Sequence, residues 1–370
     1  MNEKYSERVL KIVEQIRDPK IKVVSFDVFD TLLLRPVSTP ADIFRLLENK
    51  LEIYNFHNMR VVAEAEARKH YNMDRQDITL DEIYDTYSFL FSVPENEIDT
   101  LKQEELKIEY TLLYARKTTK YLYEQAVVAG KQIIIISDMY LASDFIDKCL
   151  KKNGYDKHSH VYVSSETGYL KSTKMMYQYV LSELALQGVE PDEIIHIGDN
   201  KKADVECAAA VGINSIHIPK ATDVRNRCKQ LKRLYEFVLS DVMNSNNAIL
   251  YGFLANLYFD DPFIEYDKNS FFNGEAKLMG YWFAPLMIGF TKWMIECIET
   301  RKIEQLLFVW RDGYLPSQLF NVMRSVFTDR NINVCNIYMG RALRMPYMAY
   351  DKNGFFNSFS DYPLRPECTV

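Results

Sequence analysis

Lys22-Val23-Val24-Ser25-Phe26-Asp27-Val28-Phe29-Asp30-Thr31-Leu32-Leu33 is an apolar, β-branched run that ends on a carboxylate. A turn with a second carboxylate, Asp30, and a hydroxyl, Thr31, follows at once. The run reads as a buried strand, because branched side chains fit a pleated, covered surface. In an α/β protein, ligands bind at the carboxyl ends of the strands. Asp27 therefore stands where a nucleophile or a metal ligand would stand.

Working outward, residues 132–136, 160–163, 193–197 and 214–218 are further short apolar runs, each separated from the next by helical stretches. Strands alternating with helices predict a parallel sheet covered on both faces, an α/β fold. The interval from about 38 to 120 is different. Residues 41–51, 59–71, 80–91 and 98–114 all carry 3.6-residue apolar spacing, and Thr79-x-x-Glu82 has the form of a capping box. An all-helical insertion after the first strand is expected, placed where a lid over a site would be. After Pro219 come a helical stretch at 224–246, an aromatic-rich stretch at 251–281 and a helix at 284–300. Then Gln305-Leu306-Leu307-Phe308-Val309-Trp310-Arg311-Asp312-Gly313 repeats the opening device of strand, charged turn and helix. A last strand at 333–339 leads to Gly340-Arg341, so a second, incomplete Rossmann-like unit is expected. The boundaries read as a core of 1–37 and 119–222, a cap of 38–118, and a C-terminal α/β domain of 223–370.

Composition narrows the function. With 370 residues, 48% hydrophobic and 26% charged, the chain can bury a large core. A net charge of −6 argues against a dedicated nucleic-acid binder. The six cysteines include no Cys-x-x-Cys pair and read as reduced thiols. The first residues hold no apolar signal core, and the apolar run 278–291 is shorter than the roughly 20 residues a spanning helix needs. It is expected as a buried segment, with no transmembrane span and a cytoplasmic location.

Four elements follow in order: Asp27 with Thr31; Ser137-Asp138 at the tip of a buried strand; Lys171 opening a helix; and Gly198-Asp199-Asn200 with Asp204 beyond it. On parallel strands they place carboxylates, a hydroxyl and an ammonium around one sheet edge. That set suits phosphoryl transfer. A carboxylate can attack phosphorus and split one hard step into two. Asp199 and Asp204 would hold an oxygen-ligated Mg²⁺ between the anions. Ser137 and Lys171 would neutralise the phosphate oxygens.

In these four motifs the chain resembles the haloacid dehalogenase (HAD) superfamily, over about residues 20–220, and the helical insertion resembles its C1 cap. The resemblance implies Asp27 as nucleophile and Mg²⁺ ligand, with the Phe29 carbonyl and Asp199 as further ligands and Asp204 supporting the metal. It implies Thr31, Ser137 and Asp138 as phosphate or substrate contacts and Lys171 as the charge-stabilising group. The departure is at Phe29, where the family's phosphatases place a second Asp that protonates the leaving group and activates water. Loss of such a group removes a factor of typically about 10²–10⁴. Asp30, one place later, is the remaining catalytic candidate.

Phe308 to Leu315, with Tyr338-Met339-Gly340-Arg341-Ala342, further resembles HAD-like proteins of bacterial surface-polysaccharide clusters, making Arg311, Asp312 and Arg341 second-domain candidates. The expected function is a Mg²⁺-dependent phosphohydrolase or phosphotransferase acting on a small phosphorylated metabolite such as a sugar phosphate. The alternative is a non-catalytic module binding a phosphosugar or a partner enzyme of polysaccharide assembly.

Overall fold

A computed structural model describes residues 5–70, 75–239, 245–264, 276–310, 312–338 and 353. The chain divides into two compact units, Met1–Leu278 and Met279–Val370; the described residues of 223–264 fall in the first.

The first unit is built on a five-stranded sheet. Its strands are β1 (Val23–Phe26), β4 (Gln132–Ser137), β5 (His160–Val163), β6 (Ile194–Gly198) and β7 (Asn214–His217). All pair in parallel, in the order β5-β4-β1-β6-β7, so β1 is central. Alternation along each strand feeds two cores. Val24, Phe26, Ile133, Ile135, Ile195 and Ile197 enter one cluster, while Val23, Ile134, Ile136 and Ile194 enter the other with Tyr177 and Leu184. Each such side chain, fully covered, contributes about 1.5–3 kcal/mol.

Between β1 and β4 lies the cap, made of the helices Asp42–Leu51, Phe56–His70, Leu80–Phe91 and Glu95–Leu112. The Thr79–Glu82 capping box is present in both directions. Two crossings connect cap to core, and they pair as short antiparallel strands, β2 (Leu33–Leu34) and β3 (Tyr114–Ala115). Inside the cap, Arg60 and Glu105 form a fully buried ion pair with Nε–Oε2 and Nη2–Oε1 distances of 2.9 Å. The Tyr84 and Tyr140 hydroxyls donate to the same carboxylate at 2.8 and 3.3 Å. Tyr140 belongs to the loop after β4, so this network seats the cap on the core.

In the second unit, β8 (Gln305–Val309) and β9 (Asn333–Ile337) pair in parallel, with the helix Tyr314–Phe327 between them in sequence. That is the strand–turn–helix–strand device expected from the sequence. The helix Ala276–Arg301 starts earlier than position 284 and carries Pro285 inside it. The apolar run at 278–291, expected to be buried, is covered on one side only over 283–291. Met287 and Thr291 are buried, whereas Phe283, Leu286 and Phe290 are exposed. A helical run this long turns apolar groups to every side, and packing covers one of them. Among the described residues, no helix is long and apolar enough to cross a membrane.

Candidate active site

The carboxyl ends of β1, β4 and β6 meet at one buried cluster. Asp27 follows β1 directly, and its N–H donates to the Ile197 carbonyl at 2.9 Å, which locks it to β6. Asp199 leaves the end of β6. Asp204 is turned back towards it by a wide helical turn, Lys201–Glu206, capped by the Asn200 side chain. Such wide turns recur at functional sites. The fit is close: a Cβ on Gly198 would lie 2.3 Å from Asp204 Cγ, so any larger residue there would displace Asp204. Asp27, Asp199 and Asp204 each offer a carboxylate oxygen, all within 4.8 Å of one another.

Lys171 is buried between two of these carboxylates. Its Nζ lies 2.6 Å from Asp27 Oδ1 and 2.6 Å from Asp204 Oδ1. One ammonium serves two anions, and the environment decides which gains more. Burial pushes Asp204 up, but Lys171 and the His196 hydrogen bond outweigh it and hold this carboxyl below the usual range. Asp27 is pushed up to about 7 by burial, with Lys171 opposing and Asp204 and Asp199 adding repulsion. Burial also disfavours the charged form of Lys171; Asp204 and Asp27 overcome it and raise its pKa well above the ordinary value. Asp199 is raised by burial, against the pull of Lys220.

The oxygen-only triad has the donor chemistry of a hard divalent cation such as Mg²⁺. Thr31 Oγ1 donates to Asp199 Oδ1 at 3.4 Å. Ser137 is buried at the end of β4, and both Asp138 oxygens accept the Lys171 backbone N–H at 3.0 and 3.1 Å. Burial pushes the Asp138 carboxyl up to about 6, with the Lys171 charge opposing.

Asp30 has a left-handed backbone, φ 57°, and its carboxylate meets Lys220 Nζ at 2.8 Å. Lys220 also reaches Asp199 Oδ2 at 3.2 Å. The Phe29 ring is stacked under Arg35, whose Cζ lies 4.2 Å from the ring centre. Arg35 is in turn held by Glu109, with Nε 2.9 Å from each carboxylate oxygen.

Apart from Thr31, which is fully buried behind Asp199, these groups line a cavity of about 630 Å³. Its floor holds Asp27, Ser137, Asp138, Lys171, Asp199 and Asp204. Its walls include Phe29, Asp30, Arg35 and Lys220, and the cap contributes Phe44, Val61, Glu64, Ala65 and Arg68. Arg60, Glu64 and Arg68 do pair along one helix face, at 3.2 and 3.0 Å. The predicted residues of the first unit thus converge. Asp312 is exposed at the turn after β8; Arg311 and Arg341 lie outside the described residues.

Sequence reasoning missed several members of the site. His196, inside β6, is fully buried and bridges Ser25 Oγ (2.8 Å) and Asp204 Oδ1 (3.3 Å). Lys220, Arg35 and Glu109 carry no local signature. The position of Lys220 just past the last strand of the sheet is the one signal that could have pointed to it.

The profile for haloacid dehalogenase-like hydrolases matches residues 21–212, more than half of the chain. No curated protein matches it. Among solved structures it is similar to YfnB of Bacillus subtilis, described as a HAD-hydrolase bound to magnesium, at 19% identity and a TM-score of 0.40, covering 54% of this chain and 88% of that one. It is similar to the L-2-haloacid dehalogenase of Xanthobacter autotrophicus at 17% identity and 0.38, covering 54% and 77%. A predicted phosphoglycolate phosphatase of Haemophilus somnus matches at 14% identity and 0.35, covering 55% and 91%.

Proposed function

The chain belongs to the haloacid dehalogenase-like hydrolase family, and on that footing we propose that it transfers the phosphoryl group of a small phosphorylated metabolite through Asp27. The substrate class favoured is a sugar phosphate, with Mg²⁺ as cofactor. The observation that carries the reading is the buried triad Asp27, Asp199 and Asp204 with Lys171 set between two of its members.

In this reading Asp27 attacks phosphorus, the bond to the leaving oxygen breaks, and an aspartyl-phosphate forms. Lys171, Ser137 and Thr31 orient and neutralise the phosphoryl oxygens. A divalent cation held by Asp27, Asp199 and the Phe29 carbonyl, with Asp204 behind them, would reduce repulsion between nucleophile and phosphate. The cap keeps water from the cavity during the first step. Both halves lack the group that position 29 would supply. Phe29 neither protonates the leaving oxygen nor activates water. The leaving oxygen therefore takes the proton of the substrate's own phosphate monoanion, and Asp30 serves as base for release only after its pair with Lys220 opens.

A second reading is favoured by the Phe29–Arg35 stack: a module that binds a phosphosugar, or a partner enzyme in surface-polysaccharide assembly, without turnover. Phosphate release from a panel of phosphometabolites with Mg²⁺, in wild type and Asp27→Asn, separates the two. Turnover lost in the variant supports the enzyme; equal release in both, or binding with no release, rules against it.

A further inference from the structure

Both crossings between cap and core are held by a segment beyond the stretch that the family profile matches. The helix Ser245–Tyr258 and the loop to residue 262 lie across them. At the first crossing, Ser38 Oγ donates to the Ala248 carbonyl at 2.9 Å. A Cβ on Gly252 would lie 2.2 Å from the Val37 carbonyl carbon, so helix and crossing meet backbone to backbone. Asn256 spans the two crossings: its Nδ2 donates to the Arg35 carbonyl at 2.8 Å and to the Tyr114 hydroxyl at 2.9 Å.

At the second crossing, Asp260 Oδ2 accepts the Thr118 N–H at 2.8 Å, and the Asp260 carbonyl accepts from Arg116 Nη2 at 2.9 Å. Arg116 is fully buried, and its Nη1 donates to the Asp30 carbonyl at 2.8 Å. Its Nη2 also reaches the Pro219 carbonyl at 2.9 Å, beside Lys220. The path from the segment to the turn after Asp27 is therefore two hydrogen bonds long.

We propose that residues 245–262 clamp the cap hinge. Asn256 and Asp260 are positioning residues: they fix the two crossings and, through Arg116, the backbone of the Asp30 turn. A cap joined by two short strands has few hydrogen bonds of its own at the hinge, so these added bonds set how easily it opens. The clamp matters to catalysis only if the cavity is the substrate site, and in that respect it rests on the reading above.

Amide hydrogen exchange on the full chain tests it without turnover, so a failure here is distinguishable from a failure of the phosphoryl-transfer reading. Asn256→Ala should speed exchange of the Leu34, Tyr114 and Arg116 amides about tenfold, the loss expected for one or two net hydrogen bonds. Exchange in β1, β4 and β6 should stay as in wild type. Tyr114→Phe, a milder change that keeps the fold if Asn256→Ala does not, should move the same amides by a smaller factor. Unchanged hinge exchange in the folded variants would overturn the proposal. So would a rise spread equally over the central strands, which would mark the segment as a general brace.

Discussion

The Arg35 guanidinium carbon sits 4.2 Å above the centre of the Phe29 ring. A cation over a ring face is favourable when little water competes, and Arg35 is buried and paired with Glu109. The place where related phosphatases carry a proton-transferring acid is thus filled by a packed apolar group. On the proposed reading both half-reactions lose a group there: the first its proton donor to the leaving oxygen, the second the base that activates water.

Restoring an acid there should speed release. Phe29→Asp puts a carboxylate within reach of the cavity and of Arg35, and phosphate release per enzyme should rise at least about tenfold, given that such groups contribute about 10²–10⁴. Steady-state phosphate assays with Mg²⁺ measure it. No gain, in a variant that remains folded, would locate the slow step elsewhere.

Gly198→Ala should cost both stability and metal affinity. The added Cβ would stand 2.3 Å from Asp204 Cγ, with no flexible end to yield. Overpacking of this kind costs about 1–3 kcal/mol, and displacement of Asp204 spoils the triad. Urea denaturation and Mg²⁺ titration calorimetry should show both losses together.

The Arg60–Glu105 pair predicts a non-additive result. Arg60→Met leaves Glu105 charged in the cap core and should destabilise by about 3–5 kcal/mol. Adding Glu105→Leu should recover only part of that loss, because the unpaired charge disappears while the Tyr84 and Tyr140 hydroxyls lose their acceptor. Equilibrium unfolding of the two single variants and the double variant gives the coupling directly.

Asp138 sets a pH dependence whose sign can be worked out. Burial raises its folded pKa to about 6, above the unfolded value of about 3.9. Between those pH values the native state binds more protons than the unfolded one, so its contribution falls as pH rises and is fully lost above pH 6 or so. The shift amounts to about 2–3 kcal/mol. Asp138→Asn, whose carbonyl can still accept the Lys171 N–H, should therefore gain stability relative to wild type as pH rises from 4 to 6, then hold that gain. Metal-free urea melts across this range check it.

Much of this was readable in the sequence, and the limits have physical causes. The strand ends carrying Asp27, Ser137 and Asp199 were legible because short branched runs and polar turns are local signals. The same holds for the Thr79–Glu82 cap. The hinge strands Leu33–Leu34 and Tyr114–Ala115 were not, since two residues have no periodicity and their pairing spans the whole cap. Arg35 meets Glu109, and Lys220 meets Asp30, only through tertiary structure. His196 sits between isoleucines, which give no local sign of a polar role; its bond to Asp204 depends on the wide turn that brings that carboxylate back.

The most direct test of the central claim is a crystal structure of the chain with Mg²⁺ and beryllium fluoride. The beryllium should bond to an Asp27 carboxylate oxygen, with Lys171 and Ser137 on its fluorines and Mg²⁺ shared with Asp199. Beryllium fluoride bound away from Asp27, with Lys171 still closed between Asp27 and Asp204, would contradict it.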